Sequence, residues 1–139
     1  MYNIERVNQT IMDIEKYFEE LRKMNITKDN VDNSEKFFAS SMVIFSILNE
    51  TIDLATEIII KNHWGMPADY KNYFQLLVKE GVISKELGEE MQKLMGDRNI
   101  FAHQYFDAGR KEMLHILKRV YFVKDFIEKI KKFIARENE

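Results

Sequence analysis

The sequence predicts an all-α fold, an antiparallel bundle of four long helices plus one short helix, on three observations. Apolar residues recur at steps of three and four through nearly every segment. Short polar or glycine-bearing stretches separate those segments, which favours antiparallel neighbours. No run alternates apolar and polar residues as a half-buried strand does, and there is no internal repeat or low-complexity stretch.

The first helix is predicted from Asn3 to about Met24, where Ile4, Val7, Ile11, Ile14, Phe18 and Leu21 form one stripe with acids and lysines opposite. Heptad spacing of this kind also suits a coiled coil, but it lasts only about three heptads, as a bundle seam does. From Asn25 to Asn33 the chain is rich in Asn, Asp and Thr, whose side chains bond nearby amides and favour turns. A second helix then runs from Ser34 to Asn62 on a face of Phe38, Met42, Phe45, Leu48, Ile52, Ala55 and Ile59. Its length makes it the central element.

His63-Trp64-Gly65-Met66-Pro67-Ala68 ends that helix, since glycine has poor helix preference and proline lacks an amide donor. Asp69 can cap a short third helix over Tyr70 to Glu80, with Gly81 as its exit. Ser84 caps a fourth, with Leu87, Met91, Leu94, Arg98, Phe101 and Tyr105 in helical register. Asp107-Ala108-Gly109 breaks the pattern before a fifth helix from about Arg110 to Ala135, carrying Met113, Ile116, Leu117, Val120, Val123, Ile127, Ile130 and Ile134.

Composition narrows the function. The 139 residues suit one domain, 1–139, and the lack of cysteine fits a reducing cytoplasm and leaves no thiolate metal site. No signal-peptide pattern opens the chain and no apolar window is long enough to span a bilayer, so a soluble, membrane-free protein is expected. With 21 basic and 23 acidic residues there is no global pull toward nucleic acid, and any RNA contact must use local charge. No His-Glu-x-x-His pair, EF-hand loop, phosphate-cradling glycine loop or Gly-x-Ser-x-Gly elbow occurs, so no metal or cofactor is expected.

Chemistry concentrates in Arg98-Asn99-Ile100-Phe101-Ala102-His103-Gln104-Tyr105. Arginine matches phosphate geometry, histidine moves a proton near neutral pH, and tyrosine offers a modifiable hydroxyl. On an ideal helix, residues seven apart lie about 20° from one another and residues five apart about 140° apart. Arg98 and Tyr105 therefore share a face and His103 does not; joint action on one phosphate requires the helix to loosen near Ala102 or a second subunit to complete the site. An arginine and a histidine that only cap and solvate a helix end have the same spacing. His63 at a helix end and His115 beside Lys111 and Arg119 read as a dipole partner and a solvated basic face. Lys118, Lys129, Lys131 and Lys132 also read as solvated, whereas Arg110 and Lys111 follow the motif closely enough to touch a phosphate.

These residues resemble the HEPN superfamily, and within it the HepT-like toxins paired with MntA-type nucleotidyltransferase antitoxins. The signature Arg-x4-His-x-Tyr is met by Arg98, His103 and Tyr105, with Asn99 in its usual place. The similarity extends through Gly65-Met66-Pro67-Ala68-Asp69-Tyr70, Phe74-Gln75-Leu76-Leu77, Glu80-Gly81-Val82-Ile83 and Glu86-Leu87, covering roughly residues 40 to 130. Asp97 departs from the usual apolar or aromatic residue before the arginine, and Ala108-Gly109 replaces an apolar-acid pair.

The resemblance implies an all-helical homodimer, a metal-independent ribonuclease toxin, a motif cleft where two subunits meet, and an MntA-like nucleotidyltransferase as antitoxin partner. In such an enzyme Arg98, His103 and Asn99 are catalytic, while Tyr105 binds substrate and receives AMP. The alternative is a noncatalytic helical module that docks a nucleotidyltransferase.

Overall fold

The computed structural model describes residues 2–102 and 106–137. The described residues form six helices and no strand: α1 (Ile4–Met24), α2 (Ser34–Lys61), α3 (Tyr70–Lys79), α4 (Lys85–Ala102), α5 (Phe106–Arg119) and α6 (Phe122–Glu137). Each of the first four starts at a side chain that accepts a first-turn amide. Asn3 takes the Arg6 N–H at 3.1 Å, Asn33 that of Lys36 at 3.0 Å, Asp69 that of Asn72 at 3.0 Å and Ser84 that of Leu87 at 3.1 Å. Asn25, with φ 47°, turns α1 off in the left-handed conformation, and Gly81, with φ 77°, does the same just beyond α3.

Side-chain ties fix the directions of the helices. Asn3 N–H reaches Glu57 Oε1 at one end of the α1/α2 pair and Lys36 Nζ reaches the Met24 carbonyl at the other, so these helices are antiparallel. Arg110 at the start of α5 meets Asp32 and Ser34 at the start of α2, and Met113 lies against Ser40, so α5 runs parallel to α2. The core is continuous across these helices. Phe74 of α3 and Phe126 of α6, both fully buried, meet edge to face at 5.5 Å, a contact that ties the short helix to the bundle.

Two expectations are corrected. The fifth helix is divided: residues 107–109 are helical within α5, and the break falls at Val120–Tyr121 instead. There Val123 and Lys124 donate to the carbonyls of Val120 and Tyr121, three residues back, a tighter turn than an α-helix. Neither glycine nor proline marks it, and the apolar spacing continues through the turn, so periodicity reads one helix. The expected face of α2 holds over its second half, where Leu48, Ile52, Ala55 and Ile59 are buried, but is turned over its first half. Phe37, Ser40, Ile44, Ile47 and Thr51 are buried, while Phe38 and Met42 are 47% and 67% exposed. A helix apolar on most sides does not reveal by spacing alone which side its neighbours cover.

Candidate active site around Arg98

Arg98 leaves α4 toward α2 and is half-buried. Its Nε–H donates to Oδ1 of Asn49 at 3.0 Å. Its guanidinium carbon lies 5.2 Å from the ring centre of Phe45 and 4.9 Å from that of Tyr70. Phe45 and Asn49, four residues apart on α2, share one face of that helix, and Tyr70 opens α3. Three helices therefore hold one cation. Ring contacts of this kind contribute about 0.5–1 kcal/mol each and orient the planar group. Among the described residues Asn49 is the one hydrogen-bond acceptor that Arg98 meets, and none of them takes the two Nη groups, whose planar fork has the geometry that fits a phosphate.

Asn99 points elsewhere. It is exposed and lines a cleft of about 580 Å³ with Asp69, Tyr70, Lys71 and Tyr73. Tyr70 belongs to both places, touching Arg98 and walling the cleft. His103 and Tyr105 lie outside the described residues. His63 and His115 are exposed, and Lys111 is exposed. Arg110, expected from its position to be able to touch a phosphate, is bound internally: Nη1 donates to the Asp32 carbonyl at 3.1 Å, Nη2 to Ser34 Oγ at 3.4 Å, and the group lies 4.6 Å from the Phe37 ring centre.

Asp97, the unusual residue before the arginine, is buried, and its Oδ2 accepts from Nη1 of Arg119 at 2.6 Å. Burial raises the pKa of this carboxyl above its ordinary value, against the opposing pull of Arg119. Arg119 is thus no part of a solvated face. It ties the end of α5 to α4 one residue before Arg98. Sequence reasoning missed Asn49, Phe45, Tyr70 and Arg119. The available signals were the Phe45-x3-Asn49 spacing on a long helix, and an acid set in an otherwise apolar register at Asp97.

Among the described residues no three histidine, aspartate or glutamate side chains cluster as a metal site requires, and no helix is long and apolar enough to cross a membrane.

A helical bundle that holds a forked cation between aromatic rings, beside a polar cleft, defines an all-α protein with a phosphate-matched site. The chain belongs to the Ribonuclease HepT-like family, whose profile matches residues 8–134. It is 28% identical over 75 residues to the mRNA nuclease HepT of Shewanella oneidensis, a match over 54% of this chain and 55% of that protein. It therefore aligns with just over half the length of that relative. The fold is similar to that of a tri-AMPylated Shewanella oneidensis HEPN toxin solved in complex with an MNT antitoxin, at TM-score 0.85 and 19% identity, covering 95% of this chain and 99% of that one. It is also similar to YutE of Bacillus subtilis, a cytosolic protein, at TM-score 0.83 and 21% identity, covering 99% and 95%.

Proposed function

We propose that the protein is a metal-independent endoribonuclease toxin of the cytoplasm, acting as a homodimer in a type II-like toxin-antitoxin pair with an MntA-like nucleotidyltransferase. The observation that carries this reading is Arg98, five residues before His103: it is fixed through Nε and two rings, and none of the described residues takes its forked Nη donors. Family membership supports it, as does the relative named an mRNA nuclease. In this scheme the ribose 2′-hydroxyl oxygen attacks the adjacent phosphorus and the 5′-oxygen leaves. His103 acts as general base or acid on the proton in transit, Arg98 stabilises the charge gathering on the phosphoryl oxygens, and Asn99 orients substrate from the cleft. Tyr105 contacts substrate and is the acceptor of AMP, whose phosphate would compete for the Arg98 fork and silence cleavage. The structural relative solved AMPylated with its antitoxin supports that control.

The test is cleavage of RNA by purified protein in EDTA, beside Arg98→Ala and His103→Ala. The parent cuts, and each variant loses about 10² to 10⁴ in rate with helix content unchanged. Parent-level cleavage by both variants removes the catalytic assignment, and no cleavage by the parent favours the docking module. Co-expression with the partner should add an AMP mass that is absent from Tyr105→Phe.

A further inference from the structure

A cleft of about 610 Å³ lies between α6 and the turn that links α3 to α4. Its α6 wall carries Lys129, Lys132 and Arg136, three cations at steps of three and four, and its other wall, from Gly81 to Ser84, is uncharged. The other described cations of α6 have partners. Lys131 pairs with Glu128 at 3.4 Å, and Lys124 sits 4.9 Å from the Phe18 ring centre and 5.2 Å from that of Tyr121. Lys129 and Lys132 have no carboxylate within ion-pair distance among the described residues, and neither has Arg136, which lies 5.9 Å from the Phe133 ring centre. The chain carries a net charge of −2, so a concave, unneutralised triple of cations is a local feature and not a consequence of overall basicity.

We infer that this cleft is a second phosphate-binding subsite, which holds the backbone of a single-stranded RNA whose scissile bond lies at Arg98. This rests on the ribonuclease reading above. Ser84 and Arg98 stand at opposite ends of α4, so at 1.5 Å per residue the two sites are roughly 21 Å apart along the helix. An extended strand of several nucleotides spans that distance, whereas a dinucleotide reaches only Arg98. The cleft therefore sets how long a strand must be for tight binding, and contributes affinity without base selectivity.

The experiment measures binding of a fluorescent single-stranded RNA of twelve nucleotides to full-length His103→Ala protein across salt concentrations, with and without Lys129→Gln, Lys132→Gln and Arg136→Gln combined. Lys118→Gln with Lys131→Gln is the control for loss of charge elsewhere. All five positions are exposed, and circular dichroism confirms the fold. The triple variant should weaken binding at least tenfold and reduce the slope of log K against log salt by about 2, since each single-strand phosphate contact contributes about 0.7. The control should change neither by more than twofold, and dinucleotide cleavage by the triple variant in the His103 background should match the parent. If the parent cuts RNA but the triple variant keeps the parent's binding slope, the subsite is overturned and the ribonuclease stands. If no protein cuts but RNA binding still depends on the triple, the ribonuclease falls and the subsite stands. Loss of nucleotidyltransferase binding with RNA binding intact assigns the cleft to the protein partner and overturns the proposal.

Discussion

Arg98 and Arg110 are built alike and held differently. Each lies against aromatic rings of α2, Arg98 against Phe45 and Arg110 against Phe37, and each is hydrogen-bonded to a residue of α2. Arg110, however, commits both Nη groups to Asp32 and Ser34, whereas among the described residues Arg98 commits only Nε. Positive charge and ring stacking therefore do not set the proposed catalytic arginine apart from the other. What sets it apart is the end of the guanidinium that no described residue takes. A cation bound through its fork is a clamp, and one bound through its stem can serve as an anion receptor.

The sharpest way to break the comparison is Arg98→Lys. Lysine keeps the charge and three donors but loses the planar fork that meets two phosphate oxygens side by side. RNA cleavage should fall about 10²-fold while thermal stability stays near the parent's. Cleavage within threefold of the parent would show that only charge matters at this position.

The next effect is on stability. Arg119→Met leaves the buried Asp97 carboxylate without its cation, and removal of one partner of a buried pair costs about 3–5 kcal/mol. Arg119 retains about a quarter of its surface in solvent, so about 2 kcal/mol at neutral pH is the expected loss. The pH dependence has a definite sign. Burial already holds the folded carboxyl's pKa above its unfolded value, and loss of Arg119 raises it further. A group so shifted binds its proton more tightly in the folded state, so its contribution is most favourable below the unfolded pKa and is lost as pH rises through the folded one. The penalty of Arg119→Met should accordingly shrink as pH falls toward the carboxylate range. Denaturant titrations that give the same penalty at pH 7 and in mild acid would contradict this.

Much of the fold was legible because its signals are local. Asp69 and Ser84 cap as expected and Gly81 ends α3 as expected, since a cap is decided within four residues. The division at Val120–Tyr121 was not legible, because the buried positions Met113, Ile116, Val120, Val123 and Ile127 keep helical spacing across it. At the site, the motif displays Arg98 and Asn99 in the sequence, but the acceptor that orients Arg98 stands 49 positions earlier. Tyr70 looked like the first turn of a short helix, which it also is. Such partners are set by how α2, α3 and α4 meet: the Phe45-x3-Asn49 spacing shows that the two share a face of α2 but not which helix that face meets.

Asn49 sharpens the comparison from the other side. Asn49→Ala removes the acceptor for Nε but leaves both rings, so Arg98 stays in place with its rotation less fixed. A loss of about tenfold in kcat, with KM changed less than twofold, is the expected signature of a positioning residue. Equal stability of Asn49→Ala and parent would separate this from a folding defect, and an unchanged kcat would show that the rings alone orient the cation.

The smallest effect belongs to Arg110→Ala, and it tests whether the clamp is only a clamp. The ring contact with Phe37 contributes about 0.5–1 kcal/mol. The bond to Ser34 Oγ is long at 3.4 Å, and Asp32 and Ser34 are exposed, so water replaces both hydrogen bonds at little cost. A loss of about 1 kcal/mol, read as a Tm lower by about 3 °C for a chain of this size, follows. Because both Nη groups are already committed, cleavage per folded molecule should stay within twofold of the parent, and the salt slope of RNA binding should not change. A slope reduced by about 0.7 would mean that Arg110 releases Asp32 and Ser34 to take a phosphate. In that case the two arginines would act as one receptor, and the distinction drawn from their donors would fail.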